Sequence, residues 1–267
     1  MTCAMGGTIL PTRHEPRLDA SEGGPREHVD RCVCQTRRVA EMEKLRSRNG
    51  GSTKLQELAV APLPTRYGQF NVHVFRWEDE FAHPGLSDEH VALVMGDVRG
   101  KTSVPVRVHS ECLTSEVFGS LKCDCREQLH RAQSEIGKRG IGVILYLRQE
   151  GRGIGLVNKV RAYALQARGA DTVEANELLH LPIDARQYDV AAAILARLGV
   201  ASIQLMTNNP HKIESLQQLG VRVEGRIPVL VAANEHSARY LEAKRRRMRH
   251  QIPDPNDEAT KKRTADA

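Results

Sequence analysis

With 267 residues, 40% of them hydrophobic, the chain can bury one sizeable core with tails beside it, and no apolar run reaches the length of a membrane span. The first thirty residues lack the continuous apolar core of a secretory signal, and most of the chain looks able to fold without disulfide staples, so a reducing, cytoplasmic setting is expected for its six cysteines. A formal charge of +6 and a pI near 9.1 suit an anionic ligand, phosphates above all, while 4% aromatic content with none interleaved among the basic runs argues against a nucleic-acid stacking surface.

In chain order, residues 1–54 come first. Gly6-Gly7, Gly23-Gly24-Pro25 and Gly50-Gly51-Ser52, many Arg and Glu, and little apolar periodicity predict a disordered extension with room for a short helix from about Val39 to Arg48. Cys32 and Cys34 form a Cys-x-Cys pair near His14 and His28, read as unstructured thiols because no folded scaffold surrounds them. The main domain is expected over residues 55–250. Val91–Met95 and Val104–Val108 read as strands, and Ile141–Leu147 as a buried one. Between the last two, Gln128–Lys138 has helical spacing, with Leu129, Ala132 and Ile136 on one side and Gly140 as a stop. Helices follow at Leu156–Arg168 and Val190–Leu198, then a strand at Ser202–Met206. Asn209 is a suitable N-cap and Pro210 fits the first helical position, so a helix should run to Leu219 and stop at Gly220. Such alternation predicts an α/β fold: one mixed-sheet domain with a metal-binding loop, flanked by flexible tails. The runs Lys244-Arg245-Arg246-Arg247 with Arg249, and Lys261-Lys262-Arg263, read as solvated faces or tails, and residues 251–267 as a flexible charged tail.

The chemistry gathers around Cys112, Cys123 and Cys125. A Cys-x-Cys pair with a third thiol eleven residues upstream has the ligand count of a catalytic zinc site, since a structural site is usually closed by four protein ligands. Thiolates suit Zn²⁺ and not Mg²⁺. Strand alternation sets Arg107 and His109 on one face, and whether His109 completes the metal site as a fourth ligand stays open. Two junctions look built for phosphate. One is Arg148-Gln149-Glu150-Gly151-Arg152-Gly153-Ile154-Gly155, a glycine-rich turn entering a helix, where backbone N–H groups can meet an anion. Leu156 stands where the dinucleotide fingerprint needs its third glycine, which makes a Rossmann dehydrogenase a weak alternative. The other is Thr207-Asn208-Asn209-Pro210-His211-Lys212, where Thr207 and Lys212 flank a helix N-terminus; its bland reading is a well-capped helix with an exposed lysine.

At this point a family resemblance emerges. Arg107-Val108-His109-Ser110-Glu111-Cys112, Ser120-Leu121-Lys122-Cys123-Asp124-Cys125, Arg148-Gln149-Glu150-Gly151-Arg152, Asn158-Lys159-Val160-Arg161-Ala162-Tyr163, Asp171-Thr172-Val173-Glu174-Ala175-Asn176 and Leu205-Met206-Thr207-Asn208-Asn209-Pro210 resemble GTP cyclohydrolase II, in order and with compatible spacing over roughly residues 55–250. The resemblance implies the first step of riboflavin synthesis: hydrolysis of GTP to formate, pyrophosphate and 2,5-diamino-6-(5-phospho-ribosylamino)pyrimidin-4(3H)-one. It implies one Zn²⁺ per chain on Cys112, Cys123 and Cys125, activating water for attack at C8 of guanine, with Mg²⁺ on the GTP phosphates. By the same carry-over Arg107, Glu111, Gln128, Glu150, Gly151, Arg152, Thr172, Thr207 and Lys212 bind GTP, with Glu150 accepting from the guanine edge and Arg152, Thr207 and Lys212 on phosphates. Tyr163 is expected to assist ring opening, Asp184 to accept a proton, and Arg186 to act as nucleophile toward the α-phosphate. A charged guanidinium, with a pKa above about 12, has no spare lone pair, so stabilising negative charge is the easier task for Arg186. The expected partners are GTP and a second copy in a homodimer, with no membrane or nucleic acid. A single activity is expected, since the chain is too short to add the dihydroxybutanone-phosphate synthase domain sometimes fused to this family.

Arg126 and Arg249 stand where the family usually has glycine, and the extension of about 54 residues is not part of the catalytic unit. These departures keep open a divergent member that stops at a formylated product or serves another pathway. A second class, a zinc-stabilised basic nucleotide- or RNA-binding module without catalysis, draws on the C-terminal basic run; Tyr163, Asp184 and Arg186 argue against it, because pure binding has no need of them.

Overall fold

The computed structural model describes residues 54–78 and 88–231 together with Glu242, leaving out the side chains of Lys54 and Thr172. All of them belong to the unit Ser52–Ala267. The expected extension, its short helix, Cys32 and Cys34, Arg249, the basic runs and the charged tail lie outside the described residues. The strands are β1 (Lys54–Thr65), β2 (Gly68–Glu78), β3 (Glu89–Met95), β4 (Val104–Ser110), β5 (Gly142–Leu147), β6 (Ile203–Met206) and β7 (Val223–Ile227). The helices are α1 (Leu113–Glu116), α2 (Cys125–Arg139), α3 (Gly155–Gln166), α4 (Thr172–Leu178), α5 (Asp189–Leu198) and α6 (Pro210–Gln218), with a 3₁₀ turn at Glu150–Gly153.

The strands form a single seven-stranded mixed sheet in the order β1-β2-β3-β5-β4-β6-β7, as an α/β fold requires. Its first part is an antiparallel meander, β1 to β2 to β3, joined antiparallel to β5. From β5 through β4 and β6 to β7 every pairing is parallel. The chain leaves β4 for its neighbour β5, then crosses back over β4 to reach β6 on the other side. In an open α/β sheet such a reversal opens a crevice beyond the carboxyl ends of the strands, where ligands bind.

Alternation along β4 and β5 explains the layering. Val104, Val106, Val108, Val143, Leu145 and Leu147 pack on one face against α5 through Ala191, Ile194 and Leu195. Ile144 and Met206 point to the other face, where Ala132 and Ile136 of α2 cover them. A strand covered on both faces reads as a continuous apolar run, which is why β5 was legible as Ile-Gly-Val-Ile-Leu-Tyr-Leu.

The hairpin β1–β2 carries no comparable signal. Among the described residues β1 is the edge strand of the sheet, a position that tolerates Pro62 and Pro64. Its two-residue turn, Arg66-Tyr67, packs down onto α2: a Cβ added to Gly137 would stand 2.2 Å from the Tyr67 carbonyl oxygen. Alanine is normally the better helix residue by about 1 kcal/mol, yet here the steric cost decides. Gly137→Ala should therefore destabilise the fold by about 1–3 kcal/mol and lower the thermal unfolding midpoint followed by circular dichroism. An unchanged or higher midpoint would mean that the turn moves away without cost.

Candidate active site

The parallel strands deliver their following residues to one cleft of about 400 Å³. Arg107 and His109 come from β4 itself, Cys112 from its exit, Glu150 to Arg152 from the exit of β5, and Thr207 to Lys212 from the exit of β6. Six Lys and Arg line the wall (Arg107, Lys122, Arg152, Lys159, Arg186 and Lys212) against three carboxylates, Glu111, Glu150 and Asp171. That imbalance favours a polyanion.

Cys112 stands at the start of α1, and Cys123 and Cys125 at the approach to α2, so two short helix entries fold the thiols together. Their three sulfurs lie within 4.8 Å of one another, and Cys112 Sγ is 3.6 Å from Cys123 Sγ. Three thiolates at about 2.3 Å from a tetrahedral zinc would stand about 3.8 Å apart, so the donor set and its spacing fit the ion. Hydrogen bonds with Cys112 and Cys125 push the Cys123 thiol strongly down. Hydrogen bonds with Cys112 and Cys123, together with burial, push Cys125 up.

His109 is not a member of that cluster. Its Nε2 pairs with Glu116 Oε1 at 2.7 Å, while Tyr146 donates to Glu116 Oε2 at 2.6 Å. Burial, partly offset by the Glu116 hydrogen bond, lowers the His109 pKa, which keeps the ring neutral with Nε2 donating to the carboxylate. The opening as to a fourth ligand therefore closes in favour of a buried support beneath the metal loop. Arg126 stays off the cleft wall. Its guanidinium bonds Glu127 at 3.2 and 3.3 Å beside Gly119 and does not line the wall, while its backbone N–H donates to Ser115 Oγ.

Around the thiols, Arg107 donates to the Met206 carbonyl at 2.9 Å and to Gln128 Oε1 at 2.5 Å. Arg107 Nε, His109 Nδ1 and Ser110 Oγ are buried on this wall without a hydrogen-bond partner in the protein. Such groups are costly unless a ligand or water meets them. Glu111 pairs with Arg148 at 3.0 Å. Glu150, 6% exposed, has both oxygens engaged: Oε2 accepts from Leu113 N–H at 2.8 Å, and Oε1 from Gly151 N–H and Lys159 Nζ at 2.7 Å. The turn that follows places Gly151 and Arg152 at φ of 62° and 61°, a conformation natural for the glycine and strained for the arginine.

At the third strand end Asn209 caps α6, accepting from His211 N–H at 3.1 Å, and Pro210 takes the first turn as the sequence predicts. Thr207 Oγ1 accepts from Asn209 N–H at 3.0 Å, and buried Lys212 donates to the Val108 carbonyl at 2.8 Å. Tyr163 projects from α3, its hydroxyl 3.3 Å from Thr114 Oγ1 and its ring 5.1 Å from Lys122 Nζ; burial raises its pKa, so the phenol keeps its proton.

The residues singled out in the sequence line this cleft with two exceptions. Asp184 stands behind Arg186, bonding its Nε at 2.8 Å, and although burial raises the carboxyl's pKa, Arg186 outweighs it and holds the group below its ordinary value. Thr172 opens α4, and its side chain lies outside the described structure. Lys159, Lys122 and Ser110 are wall residues without a role assigned from sequence. A signal for Lys159 existed: it lies four residues before Tyr163 on α3 and so shares its face.

His90 of β3 fastens the exit of β5 by accepting Arg148 N–H on Nδ1 at 3.1 Å. Burial first, then the Arg148 charge, lowers its pKa from 6.5 to about 4. The unfolded ring therefore binds a proton more readily than the folded one, so its contribution to stability is complete above the unfolded pKa and is lost as pH falls toward 4. Urea unfolding at neutral pH and near pH 5 should show the parent losing on the order of 2 kcal/mol more than His90→Asn, which keeps an acceptor without the titration. Parallel losses would remove His90 as the cause.

Fold and site together define an α/β protein with a mixed sheet in which a three-thiol cluster opens onto a cationic cleft at the strand ends. The sequence profile of GTP cyclohydrolase II matches residues 56–228. The chain is 49% identical over 190 residues to GTP cyclohydrolase-2 of Picrophilus torridus, covering 71% of this chain and 95% of that protein. It is 51% identical over 197 residues to GTP cyclohydrolase-2 of Acinetobacter baumannii (strain SDF), covering 73% and 96%. The same name belongs to a Histophilus somni (strain 2336) protein, 46% identical over 206 residues, covering 77% and 93%. A solved two-domain 3,4-dihydroxy-2-butanone 4-phosphate synthase, RibBX from A. baumannii, aligns at a TM-score of 0.38 and 20% identity over 78% of this chain and 50% of that one, too loosely to carry an argument. The chain belongs to the GTP cyclohydrolase II family.

Proposed function

We propose that the cleft binds GTP, with Mg²⁺ on its phosphates, and hydrolyses it to 2,5-diamino-6-(5-phospho-ribosylamino)pyrimidin-4(3H)-one, formate and pyrophosphate, the first step of riboflavin biosynthesis, from a catalytic unit spanning residues 55–250. The observation that carries this reading is the three-thiol cluster on the same wall as six cationic side chains, in a cleft at the exits of β4, β5 and β6. Zn²⁺ held by Cys112, Cys123 and Cys125 supplies Lewis-acid activation of water when bound. The chain's own residues do the rest. Lys212, Thr207 and Arg152 flank the α6 and 3₁₀ entries and receive phosphates there. Arg186, oriented by its bonds to Asp184, offers a fixed guanidinium to the α-phosphate, and the ionised Asp184 is competent to accept a proton. Arg107, Glu111, Gln128, Gly151 and Thr172 are assigned to the nucleotide. Glu150 serves it indirectly, since its oxygens already accept three protein hydrogen bonds. Tyr163, holding its proton, donates a hydrogen bond at the ring-opening site. Exposed Val117, Phe118 and Val157 give a homodimer apolar surface to bury.

The test separates the two bond cleavages by measuring formate and pyrophosphate from one reaction with GTP. The parent should release both in equal amounts. Tyr163→Phe should slow formate at least roughly tenfold more than pyrophosphate, the effect of a lost hydrogen-bond donor. Equal loss of both would contradict the role of Tyr163, and pyrophosphate without formate from the parent would contradict the reaction.

A further inference from the structure

Lys159, on the cleft wall, touches both a thiol and a buried carboxylate. Its Nζ lies 3.2 Å from Cys112 Sγ and 2.7 Å from Glu150 Oε1, with side chains 11% and 7% exposed for Lys159 and Glu150. Glu150 in turn accepts the N–H of Leu113, the residue after Cys112. The contacts close a ring: sulfur of Cys112, ammonium, carboxylate, and the backbone that carries Cys112. Helix α3 fixes the lysine and the 3₁₀ turn fixes the glutamate, so the ring ties two strand exits to one thiol.

Charge accounts for the arrangement. Three thiolates around a divalent ion leave one net negative charge, and before the ion arrives the sulfurs repel one another in a buried setting of low dielectric. An ammonium within hydrogen-bond distance offsets both, and partners of this kind also hold a ligand atom at its position. We propose that Lys159 is the positioning and charge-balancing partner of the three-thiol centre, held in place by Glu150 and fixing Cys112 as a metal ligand. The proposal rests on the reading of Cys112, Cys123 and Cys125 as metal ligands.

The experiment titrates the full-length chain with Co²⁺, following the thiolate-to-cobalt charge-transfer absorption, and repeats the comparison with Zn²⁺ against a chromophoric chelator. The parent should bind one ion per chain, and Cys112→Ser should lose the thiolate band. Lys159→Met, similar in bulk and uncharged, should bind about 10–100-fold more weakly, and Lys159→Arg should recover most of the loss because it restores the charge. Should Lys159→Met not fold by circular dichroism, Lys159→Gln, neutral but still a donor, takes its place with the same expected weakening. Parental affinity in the neutral variant, with Cys112→Ser losing the band, overturns the role of Lys159 while leaving the metal site standing. Failure of Lys159→Arg to bind better than the neutral variant overturns the charge-balancing role. A parent that shows no thiolate band with Co²⁺ overturns the metal reading and the proposal with it.

Discussion

Cys123→Ser is expected to strip the protein of zinc and to lower formate release by at least roughly 10³-fold, the scale of several kcal/mol that a Lewis-acid metal contributes to a hydrolytic barrier. The sulfur is buried beside Cys112 at 3.6 Å, and its neighbours' hydrogen bonds favour the thiolate over the thiol. A serine hydroxyl in that position does not ionise near neutral pH, and its oxygen would need a shorter bond to a metal than the roughly 2.3 Å of a thiolate. Because the substitution is small and the hydroxyl is nearly isosteric, folding should survive, which separates loss of metal from loss of structure. Elemental analysis of the purified variant alongside a formate assay checks the claim. One zinc per chain at the parental rate in Cys123→Ser would remove Cys123 from the ligand set.

Glu150→Ala is expected to destabilise the protein by about 3–5 kcal/mol, the range for removing one partner of a buried ion pair, and to abolish turnover. The alanine would leave Lys159 without its carboxylate and two backbone N–H groups, those of Leu113 and Gly151, without their acceptor. Each orphaned buried donor alone costs about 1–3 kcal/mol. Denaturant unfolding measures the effect directly. Glu150→Gln should fall between parent and alanine, because it keeps an acceptor oxygen but not the charge facing Lys159. A Glu150→Ala protein as stable as the parent would show that water enters and replaces the carboxylate, and the network would then be a consequence of the fold rather than one of its supports.

What the sequence made legible follows from how each signal is carried. β4, β5, α2 and α5 are buried on whole faces, so their apolar spacing is dictated by burial and readable within the segment. The cap of α6 is equally local: Asn209 and Pro210 act on their own turn. The β1–β2 hairpin escaped because an edge strand with Pro62 and Pro64 satisfies little of the usual strand pattern, and its stability comes from pairing and from the packing of Tyr67 onto Gly137. Helix α4 was missed although Asp171 and Glu174 form a reciprocal capping box, a pattern present in the text of the sequence. The thiols were readable as a candidate ligand set because a Cys-x-Cys pair and a third cysteine eleven residues upstream lie close together in the chain. Their support was not: Lys159 is 47 residues from Cys112, and the pairing of Glu116 with His109 and Tyr146 depends on the register of β4 with β5. Distance along the chain hides partners of this kind until the fold brings them together.

The central claim, hydrolytic opening of the guanine ring in this cleft, is tested most directly by the origin of the oxygens in formate. C8 of guanine carries no oxygen, so both formate oxygens must enter from water, one on ring opening and one on release. The zinc-loaded full-length chain, incubated with GTP and Mg²⁺ in ¹⁸O-labelled water, should yield doubly labelled formate by mass spectrometry together with the diaminopyrimidinone phosphate. Intact GTP, or pyrophosphate and a guanine nucleotide with no labelled formate, would contradict it.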